Sequence, residues 1–267
     1  MQELNNKIAE LLTNNLVSIF ISYKRGLNGK IKPAFFTKPD EVDENYFGDE
    51  AQQNLAVYVH KPEVKKYSKV GILANIFALK ALLQLYAENQ IKDNYLTIVT
   101  VNQDNKVIVF ADFNEIESYI AQHQIEKNTD EHKEIDKLLS LPREERWEFW
   151  VEQLSSCIKC YACRAICPMC YCSKCTVELN QPQWISVPAH SLGNFEWHIM
   201  RMMHLAGRCI NCQECSRVCP MDIPLHLLTT KINSDMEEEF GQIAGTKTTL
   251  DFALNTFKVD DYENFIR

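Results

Sequence analysis

Eight cysteines fall into two runs with the same spacing. CIKCYACRAICP begins at Cys157 and CINCQECSRVCP begins at Cys209. Both read C-x₂-C-x₂-C-x₃-C-P, which is the spacing of bacterial ferredoxins. Three thiolates at intervals of three residues can bind three corners of one iron–sulfur cubane, and the fourth corner then needs a cysteine from elsewhere. The two runs therefore predict two [4Fe–4S] clusters.

The fourth cysteine of each run is expected to bind the cluster of the other run, as in two-cluster ferredoxins. The 41 residues between the runs exceed a minimal ferredoxin connection and are expected to bulge outward. Zinc ribbons use two Cys-x₂-Cys pairs or Cys–His sets instead. The predicted ligands of cluster I are Cys157, Cys160, Cys163 and Cys219, and those of cluster II are Cys209, Cys212, Cys215 and Cys167.

Three further cysteines follow the first run in the stretch CPMCYCSKC. They are Cys170, Cys172 and Cys175, a C-x-C-x₂-C pattern that places three soft ligands within six residues. Three interpretations stay open: a third iron–sulfur centre, a Cys₃His or similar zinc site, or cysteines that are free or act as alternative ligands. No fourth ligand is assigned, although histidines are available at positions 190, 198, 204 and 226.

Composition excludes several classes of protein. The net charge of −8 argues against a nucleic-acid partner, which needs a concentrated basic face. All 11 cysteines lie between Cys157 and Cys219, and an odd number leaves a thiol over in a disulfide scheme. The N-terminus lacks the apolar core of a signal peptide, and no apolar run of about 18 residues predicts a membrane span. We expect a soluble, cytoplasmic protein.

The elements that position the cysteines begin with a predicted α/β unit over residues 1–140. An amphipathic helix is expected at 4–12 and a strand at 17–23, with a second strand in KPAFFTK. The clearest pattern predicts a strand at 70–73, a helix at 76–88 and a strand at 96–101. Such a βαβ unit has parallel strands with a right-handed crossover. KVIVF is expected to pair antiparallel with the last of them.

The chain then becomes more polar. Residues 113–135 predict a surface helix and linker, and a new helix is expected to begin at Pro142. Its tryptophans, Trp147 and Trp150, should cover the clusters or the core. Cations beside the cysteine runs either raise the cluster potentials or are simply solvated; these are Lys159, Arg164, Arg208 and Arg217.

A specific resemblance follows from these segments. RWEFWVEQLSSCIKCYACRAICPMCYCSKC and WHIMRMMHLAGRCINCQECSRVCPMDIPLHLLTTKINSDMEEEFGQIAG resemble iron–sulfur proteins related to the beta subunits of F420-reducing hydrogenase and formate dehydrogenase. VSIFISYKRG, KVGI and AENQI are similar to their N-terminal half. The resemblance is strongest over 143–245. It implies partnership with a hydrogenase, a formate dehydrogenase or a heterodisulfide-reductase-like flavoprotein.

One departure from that family concerns the segment after KVGI. Relatives have a Gly-Cys-Asp motif followed by a basic residue, whereas this chain has Ile76, Phe77, Ala78 and Lys80. The apolar replacements suit a helix face, so the N-terminal region is expected to act as a docking scaffold. FAD, which some relatives carry, is not expected, because no G-x-G-x-x-G follows a strand and the chain has only 8 glycines.

Together the residues predict an α+β protein in which a small N-terminal α/β domain precedes a mostly helical dicluster ferredoxin-like domain. The predicted boundaries are 1–140, 141–245 and a tail or partner-contact segment at 246–267. No catalytic motif is found, and the predicted function is the relay of single electrons between redox subunits of an anaerobic oxidoreductase complex. The alternative is a flavin-containing beta subunit that itself reduces or oxidises F420, NAD(P) or ferredoxin.

Overall fold

A mixed β-sheet occupies the first part of the chain. The computed structural model describes residues 2–123, 129–175, 179 and 181–252, with the backbone alone at 129–132. The strands lie in the order β2-β1-β4-β5-β6, with β3 antiparallel to the end of β1. The strands are β1 (Ile19–Arg25), β2 (Ile31–Phe36), β3 (Asn45–Tyr46), β4 (Val70–Leu73), β5 (Leu96–Val101) and β6 (Val107–Val109).

Helices flank the sheet and make up most of the remaining described structure. Two short 3₁₀ helices, Pro39–Glu44 and Leu55–Tyr58, lie in the connection from β2 to β4. The α-helices are α1 (Gln2–Thr13), α2 (Pro62–Lys65), α3 (Ile76–Ala87), α4 (Phe113–Gln122), α5 (Thr129–Leu139), α6 (Arg143–Ser155), α7 (Ala162–Ala165), α8 (Ser191–Leu205), α9 (Glu214–Arg217) and α10 (Leu225–Phe240). In the described part of the chain, no helix combines the length and apolar character needed to cross a bilayer.

The predicted βαβ unit is confirmed. Strands β4 and β5 are parallel, with Val70 opposite Leu96, and α3 connects them. Asn75 caps this helix, because its side-chain oxygen accepts a hydrogen bond from the Ala78 N–H at 2.9 Å. The antiparallel pairing of β6 with β5 is also as predicted. Ile76, Phe77 and Ala78 form the first turn of α3, a largely buried helix.

The first strand begins later than predicted. The expected strand at 17–23 is observed at Ile19–Arg25. The N–H groups of Leu16 and Val17 donate to the Leu11 carbonyl and so close the end of α1. These residues terminate the helix instead of pairing in the sheet.

The cysteine-bearing part packs as helices around a second apolar cluster. Helix α6 begins after Pro142, as predicted, and packs on α8. Trp150 packs against this cluster beside Cys157 and Cys219. Trp147 is 56% exposed and contacts the ring of Phe195, so it covers the cluster only at its edge.

Contacts tie the sheet to the cysteine-bearing part. The core under the sheet extends to Met169, Leu205 and Ile210. The mixture of helices and sheet agrees with the predicted α+β class. The predicted tail, 246–267, lies outside the described residues from 253 onward.

Candidate metal centres

Both cysteine runs fold in the same way. In the first run Lys159 and Tyr161 have positive φ values of 50° and 57°, and in the second the equivalent Asn211 and Gln213 have values of 56° and 61°. The short helices α7 and α9 then begin at equivalent positions. Left-handed residues followed by helical ones turn successive backbone N–H groups toward one concave side, which favours an anion.

These N–H groups face the sulfur atoms. The Lys159 N–H donates to the Cys157 sulfur at 3.3 Å. Backbone hydrogen bonds likewise lower the thiol pKa values of Cys209 and Cys212, although burial raises them more. Each turn thus provides both the thiolates and the donors that stabilise their negative charge.

Four cysteines from the two runs surround a common cavity. Trp197, His198 and Pro220 contribute to its walls. Burial raises the pKa of the Cys163 thiol to about 11, whereas Cys160 is exposed at the rim. The cysteines that line the cavity are Cys157, Cys160, Cys163 and Cys219, which is the set predicted for cluster I.

Three of the remaining predicted ligands, Cys167, Cys209 and Cys212, pack against the core under the sheet, and the fourth, Cys215, belongs to the second apolar cluster. Burial is the first cause that raises the pKa of Cys209, to about 12, and repulsion from Cys167 is the second. The same two causes, in the same order, raise the pKa of Cys212. Burial also raises the pKa of Cys215, which is electrostatically coupled to Cys167 as well. Cys167, from the first run, therefore lies among the first three cysteines of the second.

The three additional cysteines do not share one environment. Cys170 donates a hydrogen bond to the sulfur of Cys167, which lowers the pKa of Cys167. Cys172 is exposed, and Cys175 is near enough to Tyr161 to influence its pKa. Among the described residues, no three His, Cys, Asp or Glu side chains are close enough together to hold a single metal ion.

The histidines considered as further ligands have other positions. His190 caps α8, where its Nδ1 accepts from the Gly193 N–H at 3.4 Å. His226 Nδ1 lies 3.1 Å from the Ser216 hydroxyl, and His204 is exposed. His198 instead belongs to the walls of the first cavity.

A buried arginine between the two cysteine sets was not anticipated from the sequence. Arg201 of α8 is 3% exposed, and its Nη2 donates to the Cys163 carbonyl at 3.0 Å. Its charge lowers the thiol pKa values of Cys163, Cys167 and Cys215. Trp197 and Leu205, four residues before and four residues after Arg201, are both buried, and this helical spacing is the signal that could have placed Arg201 on the inward face of α8.

The cations that the sequence did single out are more fully paired. Arg217 donates to Glu214 at 2.5 Å and to the Cys212 carbonyl at 2.8 Å. The Lys159 ammonium donates to the Ser186 carbonyl. Arg208 forms an ion pair with Glu88.

These features fit two iron–sulfur cubanes. Cubane ligands bind four different iron atoms, so they lie farther apart than the ligands of a single ion. Burial raises the pKa values of the thiols of Cys163, Cys209, Cys212 and Cys215, and the positive iron ions would remove their protons on binding. Donors for cluster sulfur are also present in the backbone turns and on α8.

Comparisons with known proteins agree with this chemistry. Residues 156–224 match the family model described as a 4Fe-4S dicluster domain. The chain is 34% identical over 104 residues to the F420-dependent formate dehydrogenase subunit beta of Methanocaldococcus jannaschii, covering 39% of this chain and 27% of that one. It is 37% identical over 98 residues to F420-dependent formate dehydrogenase 1 subunit beta of Methanococcus maripaludis, covering 37% and 24%.

These matches confirm the resemblance to iron–sulfur beta subunits. The aligned segment spans about a quarter of the length of the curated relatives. An iron–sulfur, electron-transferring role is therefore supported by both the chain's cysteines and its relatives.

Proposed function

We propose that this chain relays single electrons through two [4Fe–4S] clusters between redox subunits of an oxidoreductase complex. The grouping of Cys219 with Cys157, Cys160 and Cys163 carries the proposal. It brings the last cysteine of one run to the first three of the other, as a two-cluster ferredoxin requires. When bound, the clusters would supply the one-electron redox chemistry, and the eight cysteines of the two runs would hold them between the surfaces of a donor and an acceptor subunit.

The protein residues hold and shield the clusters. Cluster I would be bound by Cys157, Cys160, Cys163 and Cys219, and cluster II by Cys209, Cys212, Cys215 and Cys167. The apolar side chains of Leu154, Ile223 and Leu225 pack with Cys163 of the first set and Cys215 of the second. They keep water from these two thiols. Cys160, at the exposed rim, places cluster I nearest to a partner's surface.

We also propose a role for each of three segments of the chain. Residues 141–245 would form the mostly helical cluster-binding domain, residues 1–140 a docking domain, and 246–267 a partner-contact segment. The relatives are named as formate dehydrogenase subunits, which favours a formate dehydrogenase as partner. A hydrogenase or a heterodisulfide-reductase-like flavoprotein would use the same one-electron exchange, and the location would be cytoplasmic.

The first test is the content of iron, acid-labile sulfide, zinc and flavin in anaerobically purified protein. Two clusters require about eight iron and eight sulfide per chain, since each cubane holds four of each. About four more iron and four more sulfide would make Cys170, Cys172 and Cys175 part of a third cluster. One zinc would make them a zinc site. Little iron, or stoichiometric flavin, would contradict the relay.

The crossed ligand sets can be tested by two matched double variants. Cys157→Ser with Cys219→Ser removes two ligands from one proposed cluster and should leave the other intact. Cys157→Ser with Cys167→Ser removes one ligand from each cluster and should impair both. If each run instead binds its own cluster, the iron content and the EPR spectra should show the opposite. The first double variant would then impair both clusters, and the second would leave one cluster intact.

A further inference from the structure

Helix α8 lies against the first cysteine run in a fixed position. The Asn194 side-chain amide donates to the carbonyls of Ser155, at 3.2 Å, and Cys157, at 2.7 Å. One end of the helix is thereby attached to the start of the run. Farther along, Arg201 Nη2 donates to the Cys163 carbonyl at 3.0 Å. These bonds direct one face of α8 toward the cysteines.

That face carries buried side-chain nitrogen atoms whose hydrogen-bonding capacity is unused within the described part of the chain. Nε and Nη1 of Arg201 and both ring nitrogens of His198 are buried, and among the described residues they have no hydrogen-bond partner. Arg201 is 3% exposed and His198 is 1% exposed. The two residues are three positions apart, so they lie on the same side of the helix. A buried cation whose donors are only partly satisfied is unfavourable unless an anion is brought to it.

The anions available at this position belong to the cysteine sets. His198 lines the cavity of the first set. The electrostatic neighbours of Arg201 are Cys163 from the first set, Cys167 and Cys215 from the second, and Cys170. The guanidinium therefore lies between the two sets. Its planar arrangement of N–H groups can donate in two directions at once.

We propose that Arg201 is a positioning residue shared by both clusters, donating N–H groups to their sulfur atoms and raising both reduction potentials, with His198 assisting at cluster I. The inference rests on the proposed two-cluster function. Reduction adds negative charge to a cluster, and a fixed cation in a buried site stabilises the reduced form. Arginine suits this role because it stays protonated.

The half-exposed Arg217 provides a matched comparison. It is also a cation beside the second set, but it is paired with Glu214, and the pair carries no net charge. Arg201→Gln removes one buried positive charge, whereas Glu214→Gln combined with Arg217→Gln removes the whole ion pair and leaves the net charge unchanged. Arg217→Gln alone would leave the Glu214 carboxylate uncompensated. A general effect of losing any nearby arginine would shift both variants alike.

The test is an EPR-monitored redox titration of the full chain with its clusters loaded. In Arg201→Gln the reduction equilibrium constants of both clusters should fall at least about tenfold, which is about 59 mV for a one-electron couple. His198→Phe should shift one cluster, and the double variant Glu214→Gln with Arg217→Gln should shift neither by that amount. Equal shifts in Arg201→Gln and in this double variant, or a shift of a single cluster in Arg201→Gln, would overturn the inference.

A second variant covers the case in which Arg201→Gln does not retain its clusters. Arg201→Lys keeps the charge but loses the planar fork, so both potentials should fall by a smaller amount. Resonance Raman spectra in H₂O and D₂O should show weaker deuterium sensitivity of the iron–sulfur vibrations than in the native protein. Native potentials with native deuterium sensitivity would refute shared donation. Absence of clusters from the native protein would instead refute the proposed function.

Discussion

Replacing Glu88 with glutamine should weaken the attachment of the cysteine-bearing part to the sheet. The Glu88 carboxylate follows α3 and accepts hydrogen bonds from Arg208 Nε at 2.9 Å and Nη2 at 2.8 Å. It also accepts from the hydroxyl of Tyr171 at 2.6 Å. Tyr171 lies between Cys170 and Cys172, so this network holds the chain beside the second cysteine set.

The expected loss follows from burial. The side chains of Glu88 and Arg208 are 8% and 25% exposed. Removing one partner of a buried ion pair costs about 3–5 kcal/mol, because the other charge loses its compensation. Arg208 can regain some water, so we expect the lower end, about 3 kcal/mol, which is roughly a hundredfold in the unfolding equilibrium.

The assay is urea unfolding of the cluster-loaded protein without oxygen, followed by circular dichroism and by visible cluster absorption. With a slope of about 3 kcal/mol per molar urea, the midpoint should fall by about 1 M. Glu44→Gln is the matched control. The side chains of Glu44 and its partner Lys24 are 65% and 35% exposed, and such a surface ion pair stabilises a protein by less than about 1 kcal/mol. Equal midpoints for Glu88→Gln and Glu44→Gln would refute the reasoning.

Three more expectations concern packing and pH. Gly71→Ala should destabilise the protein by about 1–3 kcal/mol in urea unfolding, because its Cβ would lie 2.2 Å from a ring carbon of Phe20. Trp150→Ala should cost about 3 kcal/mol and speed the loss of cluster absorption, whereas Trp147→Ala should cost less than about 1 kcal/mol. Burial raises the pKa of Glu88, but Arg208 and Tyr171 outweigh it, so the folded pKa is lowered. The stabilisation by Glu88 is therefore present above the unfolded-state pKa of this carboxyl group and is lost as the pH falls through its folded-state pKa. Acid should then lower the urea midpoint of the native protein more than it lowers the urea midpoint of Glu88→Gln. An unchanged urea midpoint in Gly71→Ala would contradict the first expectation, and equal losses of stability in Trp150→Ala and Trp147→Ala would contradict the second. An equal effect of acid on the urea midpoints of the native protein and Glu88→Gln would contradict the third.

Local patterns predicted much of the fold because their causes are local. The alternation of apolar residues and turn signals located β4, α3 and β5, and β6 followed from a short turn. The repeated spacing of the cysteines predicted two equivalent turns, and Lys159 and Asn211 do share a left-handed backbone. The start of β1 was misplaced because an apolar residue at a helix end resembles the first residue of a strand.

The features that were missed depend on contacts between distant parts of the chain. Arg201 looks like an exposed residue within WHIMRMMH, and its burial arises from α8 packing between two cysteine sets. Glu88 and Tyr171 are separated along the chain by strands β5 and β6 and helices α4 to α7, so no spacing rule connects them. The three additional cysteines were recognised as soft ligands, but their separate environments come from tertiary neighbours such as Tyr161 and Cys167.

The position of Cys219 beside the first cysteine run has a consequence for biogenesis. In the proposed arrangement, a nascent chain that has emerged only through the first run offers three thiolates for cluster I and a single one, Cys167, for cluster II. Neither set can be completed until the second run has left the ribosome and folded back onto the first. Cluster insertion should therefore be a late and joint event, and a chain truncated between the two runs should retain neither finished cluster.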